Sequence, residues 1–141
     1  MSLVRAFDVS ASGLSAQRTR MEAIASNLAN AETTRTAEGG PYRRKLPVFM
    51  AQSELVPFED VLGRALYRVR VSAVVDDPSP PVLRHEPGHP DADADGMVAY
   101  PNVDPMQEMI DMLSATRSYE ANVTALKTLR TLQNASLDII R

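Results

Sequence analysis

Cysteine is absent from this chain of 141 residues, and so is tryptophan. Without cysteine there is no disulfide, no thiolate metal site and no cysteine nucleophile. The lack also leaves the compartment open, because such a chain tolerates oxidising and reducing surroundings alike. Aromatic residues make up only 5% of the sequence, so few of the large rings that usually anchor a compact core are available. No long apolar run occurs. The opening MSLVRAFDVSASGLSAQ is interrupted by polar residues every few positions, unlike the apolar run of about 7–15 residues in a secretory signal. No stretch approaches the ~20 apolar residues of a spanning helix. The expectation is a soluble protein without a cleaved export signal. Net charge is only -3, which gives no electrostatic case for nucleic acid or an anionic membrane as partner.

What is present is methionine, proline and periodicity. Seven methionines supply adaptable packing groups suited to interfaces. The prolines concentrate in the middle, where all but Pro105 lie between residues 31 and 104. This divides the chain into an N-terminal helix over 1–30, a loop and small β-rich domain over 31–104, and a C-terminal helix over 105–141.

In the first segment Phe7, Leu14, Met21 and Leu28 recur at spacings of seven, with Leu3/Val4, Ala11 and Ile24 at the alternate position and Gln17 as an interruption. That is a heptad pattern on one helical face. Gly13 and the serines lower intrinsic helix propensity, so packing must hold this helix. Asn30 follows the last periodic residue as a helix stop, and Gly39-Gly40-Pro41 closes the segment. A helix from Ser2 to Ala29 spans roughly 42 Å.

The last segment opens on Asp104-Pro105, aspartate at the N-cap and proline at the first helical position. Glu108 in the first turn suits the helix dipole. No glycine or proline follows to Ile140. Met112, Tyr119, Leu126, Gln133 and Ile140 fall at spacings of seven, with Ala115 and Leu129 beside them. This helix is roughly 54 Å long. In the middle segment, Arg44 to Met50 and Tyr67 to Val75 read as strands, the first at an edge because it holds Pro47. Pro81 to His85 reads as a third strand, and Pro57 to Leu66 as a short helix or loop.

The fold class expected is mainly α with a small β insertion, the two long helices pairing as a coiled coil. Phe7, Leu14, Met21 and Leu28 are expected against Met112, Tyr119, Leu126 and Ile140. Both helices far exceed the ~11–12 residue average, and the middle segment is too small to cover them. Their remaining apolar residues require other chains, and copies or homologues are the economical partners. Periodicity alone also permits a monomeric antiparallel coiled-coil adaptor.

Three stretches imitate chemical motifs. His85-Glu86-Pro87-Gly88-His89 fits H-E-x-x-H of zinc peptidases, whose histidines must share a helical face. Pro87 and Gly88 break that helix, so a metal-dependent hydrolase is the weakest of the alternatives. Asp91-Ala92-Asp93-Ala94-Asp95-Gly96 fits the start of a calcium loop, but position twelve is Asn102 rather than glutamate. A turn before the final helix is the favoured reading. Arg43-Arg44-Lys45 follows two glycines but leads into a strand, not the helix N-terminus a phosphate cradle needs. It reads as a solvated charge cluster or a salt-bridging surface to a neighbour. No catalytic residue, cofactor or metal ligand is assigned, and the chain is read as no enzyme.

Other residues carry a family resemblance. Gly13-Leu14-Ser15-Ala16, followed by Ser26-Asn27-Leu28-Ala29-Asn30-Ala31-Glu32-Thr33, resembles the N-terminal signature of bacterial flagellar rod, hook and hook-associated proteins. Gly40-Pro41-Tyr42-Arg43-Arg44-Lys45, the stretch from Gly88 to Met109, and Arg117-Ser118-Tyr119-Glu120-Ala121-Asn122 are similar to the proximal-rod FlgC family. The stretches run in order over nearly the whole chain, with residues 46–87 matching least. The resemblance implies a structural subunit of the basal-body rod. It implies export through the flagellar type III apparatus without signal cleavage, and terminal helices forming the inner layer of a tube across the periplasm. Its partners would be further copies, homologous rod proteins, the membrane-ring and rod-adaptor proteins, and the export apparatus, with no nucleic acid and no membrane insertion. The expected assembly residues are Phe7, Leu14, Met21, Leu28, Met112, Tyr119, Leu126 and Ile140, joined by Asn27 and Asn30 of the signature.

Overall fold

A computed structural model describes residues 3–53 and 67–139 of the chain. Two long helices bracket two small antiparallel strand pairs. The order is α1 (Leu3–Ala29), β1 (Lys45–Ser53), β2 (Tyr67–Asp76), β3 (Val82–His85), β4 (Met97–Tyr100) and α2 (Pro105–Ile139). The architecture is mainly α with a small β part, as the sequence implies. Pro57 to Leu66 and Ile140 lie outside the described residues.

The helix ends form where the sequence places them. At the close of α1, the Asn30 side-chain amide donates to the Ser26 carbonyl at 2.8 Å, and Thr33 Oγ1 donates to Asn30 Oδ1. The same Ser26 carbonyl also accepts the Asn30 backbone amide at 3.1 Å, so Asn30 closes the last turn with both its main chain and its side chain. At the start of α2, Asp104 Oδ1 accepts the Met106 amide at 2.9 Å, an N-cap bond to the second helical residue.

β1 and β2 pair antiparallel from Lys45↔Asp76 to Ser53↔Tyr67, with a bulge between Val48 and Phe49. A two-stranded sheet has two edges, so Pro47 is tolerated without a missing ladder bond to a third strand. Such a ribbon is marginal alone. It is tied to α1, where Arg68 pairs with Asp8 at 2.8 Å and the Val69 amide donates to Ser12 Oγ at 3.1 Å. β3 and β4 form the second pair, Val82↔Tyr100 to His85↔Met97. The sequence reading assigns no element to residues 97–100 within the β-rich segment, and the structure makes them a strand. Its signal was Val98 and Tyr100 alternating with Met97 and Ala99, and these two side chains are buried.

α1 and α2 run antiparallel. Asn27 meets Glu108, Arg20 meets Asp111 and Gly13 meets Asn122. Extending that register at one residue per residue brings Leu3 opposite about residue 132, since both helices rise ~1.5 Å per residue. The end of α2 therefore runs past α1, and every side chain from 131 to 138 is exposed. Among the described residues the buried apolar set is slim: Ala16, Ala23, Ile24, Tyr42, Val98, Tyr100 and Ala115. Three of these seven are alanines, which bury little area.

Candidate assembly interface

On α2 the residues turned inward are Glu108, Met112, Ala115, Tyr119, Asn122, Leu126 and Leu129, all buried or half-buried at alternating spacings of four and three. Met112, Tyr119 and Leu126 of the expected assembly set lie in this row. On α1 the facing row is Gly13, Ala16, Arg20, Ala23 and Asn27. It is small and polar, and it is not the expected stripe. At ~100° per residue, Phe7, Leu14, Met21 and Leu28 sit about 130° round the helix from it. All four are half-buried. Of these, Met21 is brought to α2, where Thr116 Oγ1 donates to its sulfur at 3.8 Å and to the Met112 carbonyl at 2.8 Å.

The reason for the shift is close approach. Helix axes come nearest where side chains are smallest. A Cβ added at Gly13 would lie 3.1 Å from Asn122 Oδ1 and 3.2 Å from its Nδ2. Alanine at 13 requires a shift of tenths of an ångström and gains helix propensity, so Gly13→Ala should change stability by less than about 1 kcal/mol. Gly13→Leu overpacks the seam and should lower stability by about 1–3 kcal/mol, read as a lower urea midpoint with an unchanged slope.

A polar junction closes one end of the helix pair. Asn27 and Glu108 are each only 1% exposed. Asn27 Nδ2 donates to the Lys45 carbonyl and to Glu108 Oε2, both at 3.1 Å. Its Oδ1 accepts the Lys45 amide at 2.8 Å and the Tyr42 hydroxyl at 3.0 Å. Ser26 Oγ lies 3.0 Å from the same hydroxyl. Arg44 Nε donates to Glu108 Oε1 at 2.6 Å, and Nη2 contacts the same oxygen. Asp111 links on to Arg20 at 3.0 Å and approaches Arg44 at 3.9 Å. Every polar atom of the Asn27 side chain is satisfied, as buried groups require.

Sequence reasoning missed Tyr42, Arg44, Glu108, Asp111 and Arg20 as parts of one site. Glu108 does stand at the helix N-terminus, but its carboxylate is spent on Arg44 and Asn27. The basic run is split: Arg43 is exposed, Arg44 turns into the junction, and Lys45 contributes its backbone. The available signal was that Asn27, Tyr42-Arg43-Arg44-Lys45 and Glu108 all fall in the motifs that carry the family resemblance.

Away from α1, the opposite side of α2 carries Met106, Met109, Ile110 and Leu113, exposed by 63%, 47%, 54% and 62%. Leu132 and Leu137 are exposed on the overhanging end.

The chemical-looking motifs shape the β3–β4 connection. His85 ends β3, and the Asp91 amide donates to His89 Nδ1 at 3.1 Å. Tyr100 donates to Glu86 at 2.9 Å, which with burial pushes its phenol above the ordinary range. The Arg84 guanidinium lies 4.5 Å over the Tyr100 ring. Asp93 Oδ1 accepts the amides of Asp95 and Met97, and Gly96 takes φ 72° to close the turn, a conformation glycine adopts without strain. Asp91 accepts from Thr34 and pairs with Arg35. These carboxylates are committed to protein donors. Among the described residues no group of three histidine, aspartate or glutamate side chains is placed to hold a metal ion, and no helix is long and apolar enough to cross a membrane.

Comparison with known proteins matches residues 7–35 to the family described as flagella basal body rod protein. Residues 94–139 match the flagellar basal body rod FlgEFG protein C-terminal family. The chain is 43% identical over 150 aligned residues to the flagellar basal-body rod protein FlgC of Bacillus subtilis (strain 168), covering 99% of each. It is 41% identical over 139 residues to the protein of that name in Salmonella typhimurium, covering 99% of this chain and 98% of the relative. Against the FlgC protein of Aquifex aeolicus it is 42% identical over 125 residues, with 89% and 87% covered.

Proposed function

Because this chain belongs to the FlgC family of flagellar basal-body rod proteins, we propose that it enters the rod through its two terminal helices and passes torque along them. It is a structural subunit of the proximal rod and not an enzyme. The observation that supports the helical route is apolar surface without a partner among the described residues. α2 presents Met106, Ile110 and Leu113 on the side turned from α1, and continues past α1 with Leu132 and Leu137. Phe7, Leu14 and Leu28 add half-covered surface on α1. Burying such area yields ~25 cal/mol per Å², so assembly supplies what the slim core of one copy lacks.

In this reading the paired helices supercoil in the rod as a coiled coil, their facing rows already repeating at alternating threes and fours. A contact between unlike faces of successive copies propagates as a helix rather than closing. Neighbours are other copies and homologous rod proteins, with membrane-ring and adaptor proteins at the rod base. The subunit travels through the flagellar export apparatus without signal cleavage, and the rod spans the periplasm. The turn built by His85–His89 and Asp91–Gly96 has a shaping role only.

The test is composition. Hook–basal bodies purified from the source cells should contain this chain in fixed ratio to the other rod proteins, and a deletion strain should secrete no hook or filament protein. A chain absent from purified basal bodies, and monomeric at high concentration on a sizing column, would instead be a free adaptor.

A further inference from the structure

We propose that Asn27, Tyr42, Arg44 and Glu108, brought together from the last turn of α1, the approach to β1 and the first turn of α2, form a lock that fixes the direction in which the β1–β2 ribbon leaves the helix pair. The lock grips backbone as well as side chains. The Asn27 amide bonds both the N–H and the C=O of Lys45, the pairing a neighbouring strand would make with that residue. Lys45 is the first residue of β1. The second strand is pinned at the same place, because the Asp77 amide, directly after β2, donates to the Arg44 carbonyl at 2.7 Å. Both strands are therefore held at their base by two consecutive residues.

The side-chain chemistry is specific. Only an amide offers a donor and an acceptor side by side in one plane. Aspartate lacks the donor, and glutamine sets the same group one methylene further out. Arg44 brings two N–H groups to one oxygen of Glu108, leaving the other oxygen for Asn27. A lysine there would offer a single charged centre without that fixed fork. Buried charge of this kind contributes little net stability against an apolar replacement. What it provides is geometry: Asn27 bonds Tyr42, Lys45 and Glu108 at once, and Glu108 joins Asn27 to Arg44. Tyr42 closes the set, its hydroxyl bridging Ser26 and Asn27.

The consequence for the rod rests on the function proposed above. A ribbon fixed at its base turns with the helices that carry it, so torsion in the helical layer reaches the outer part of the subunit without play.

The test is hydrogen exchange on the full-length Arg44→Lys protein, with Tyr42→Phe as a milder second variant. The amides of Lys45 and Asp77 should exchange about tenfold faster or more in Arg44→Lys, as expected when a hydrogen bond to a charged group is weakened. Amides along the helical seam, at Ala16 and Ala115, should stay within about threefold of wild type, because local opening need not involve the global transition. Tyr42→Phe should show the same local pattern at smaller size. Unchanged exchange at Lys45 and Asp77 would overturn the lock. So would a uniform rise at all amides in both variants, which would make the cluster an ordinary part of global stability. Incorporation into basal bodies is scored separately: failure of the wild-type chain to appear there would sink the rod reading and leave the exchange result standing.

Discussion

Replacing Asn27 by aspartate is expected to destabilise the folded chain more than any other single change at the junction, by about 3–5 kcal/mol, the range for breaking a buried charge network. The substitution keeps size and shape. It removes the two N–H donors that serve the Lys45 carbonyl and Glu108 Oε2. It also sets a second carboxylate about where the amide nitrogen stood, 3.1 Å from Glu108 Oε2, at a place only 1% exposed. Domains are commonly stable by ~5–15 kcal/mol, and this one has a slim core, so much of the variant should be unfolded at room temperature. Asn27→Ala should cost less, about 1–3 kcal/mol in all, since it leaves partners unmet but adds no charge. The double variant Asn27→Asp with Glu108→Gln should recover part of the loss, because glutamine can donate to the new carboxylate. Strict additivity of the two changes, measured by urea unfolding, would show that the residues do not couple. An Asn27→Asp midpoint close to wild type would contradict the junction geometry itself.

That junction marks the limit of what local pattern can disclose. α2 was legible in detail: Asp104-Pro105 starts it, and Met112, Tyr119 and Leu126 stand in its inward row. α1 was legible as a helix but not in its facing. Its conspicuous apolar residues lie to one side, while Gly13, Ala16 and Ala23, which a hydrophobicity pattern passes over, let α2 come close. A heptad read for its largest residues finds the wrong face when the seam is built on the smallest. Glu108 shows a different failure. A glutamate in a first helical turn has a sufficient local explanation, so nothing prompts a search for Arg44, which is 64 residues away. β4 was hidden by brevity, four residues between a glycine turn and a proline. Glu86–His89 and Asp91–Gly96 do lie in the β3–β4 connection, where Pro87 and Asn102 already pointed away from the helix and the glutamate that the imitated motifs need.

Ile110→Asp is expected to abolish incorporation into the rod and leave the monomer nearly as stable as wild type. Ile110 is 54% exposed on the side of α2 turned from α1, and substitutions at such sites usually change stability within about ±0.5 kcal/mol. In an assembled interface the same aspartate would carry its charge into apolar contact with Met106 and Leu113 one turn away on either side. An unpaired polar group there costs at least ~1–3 kcal/mol on mutational scales, and in a repeating assembly the penalty recurs at each copy. A modest monomer effect therefore becomes a decisive assembly effect. Leu14→Asp is the parallel change on α1, with a larger expected cost to the monomer because Leu14 is already half-buried. The comparison separates folding from assembly. Circular dichroism and urea midpoints report the first; recovery of the variant in purified hook–basal bodies, and swimming of the complemented deletion strain, report the second. Normal swimming with Ile110→Asp would remove the outer face of α2 from the interface. Loss of swimming together with a collapsed urea midpoint would assign Ile110 to folding instead. The expected result is a monomer that melts like wild type, is exported, and is missing from the rod.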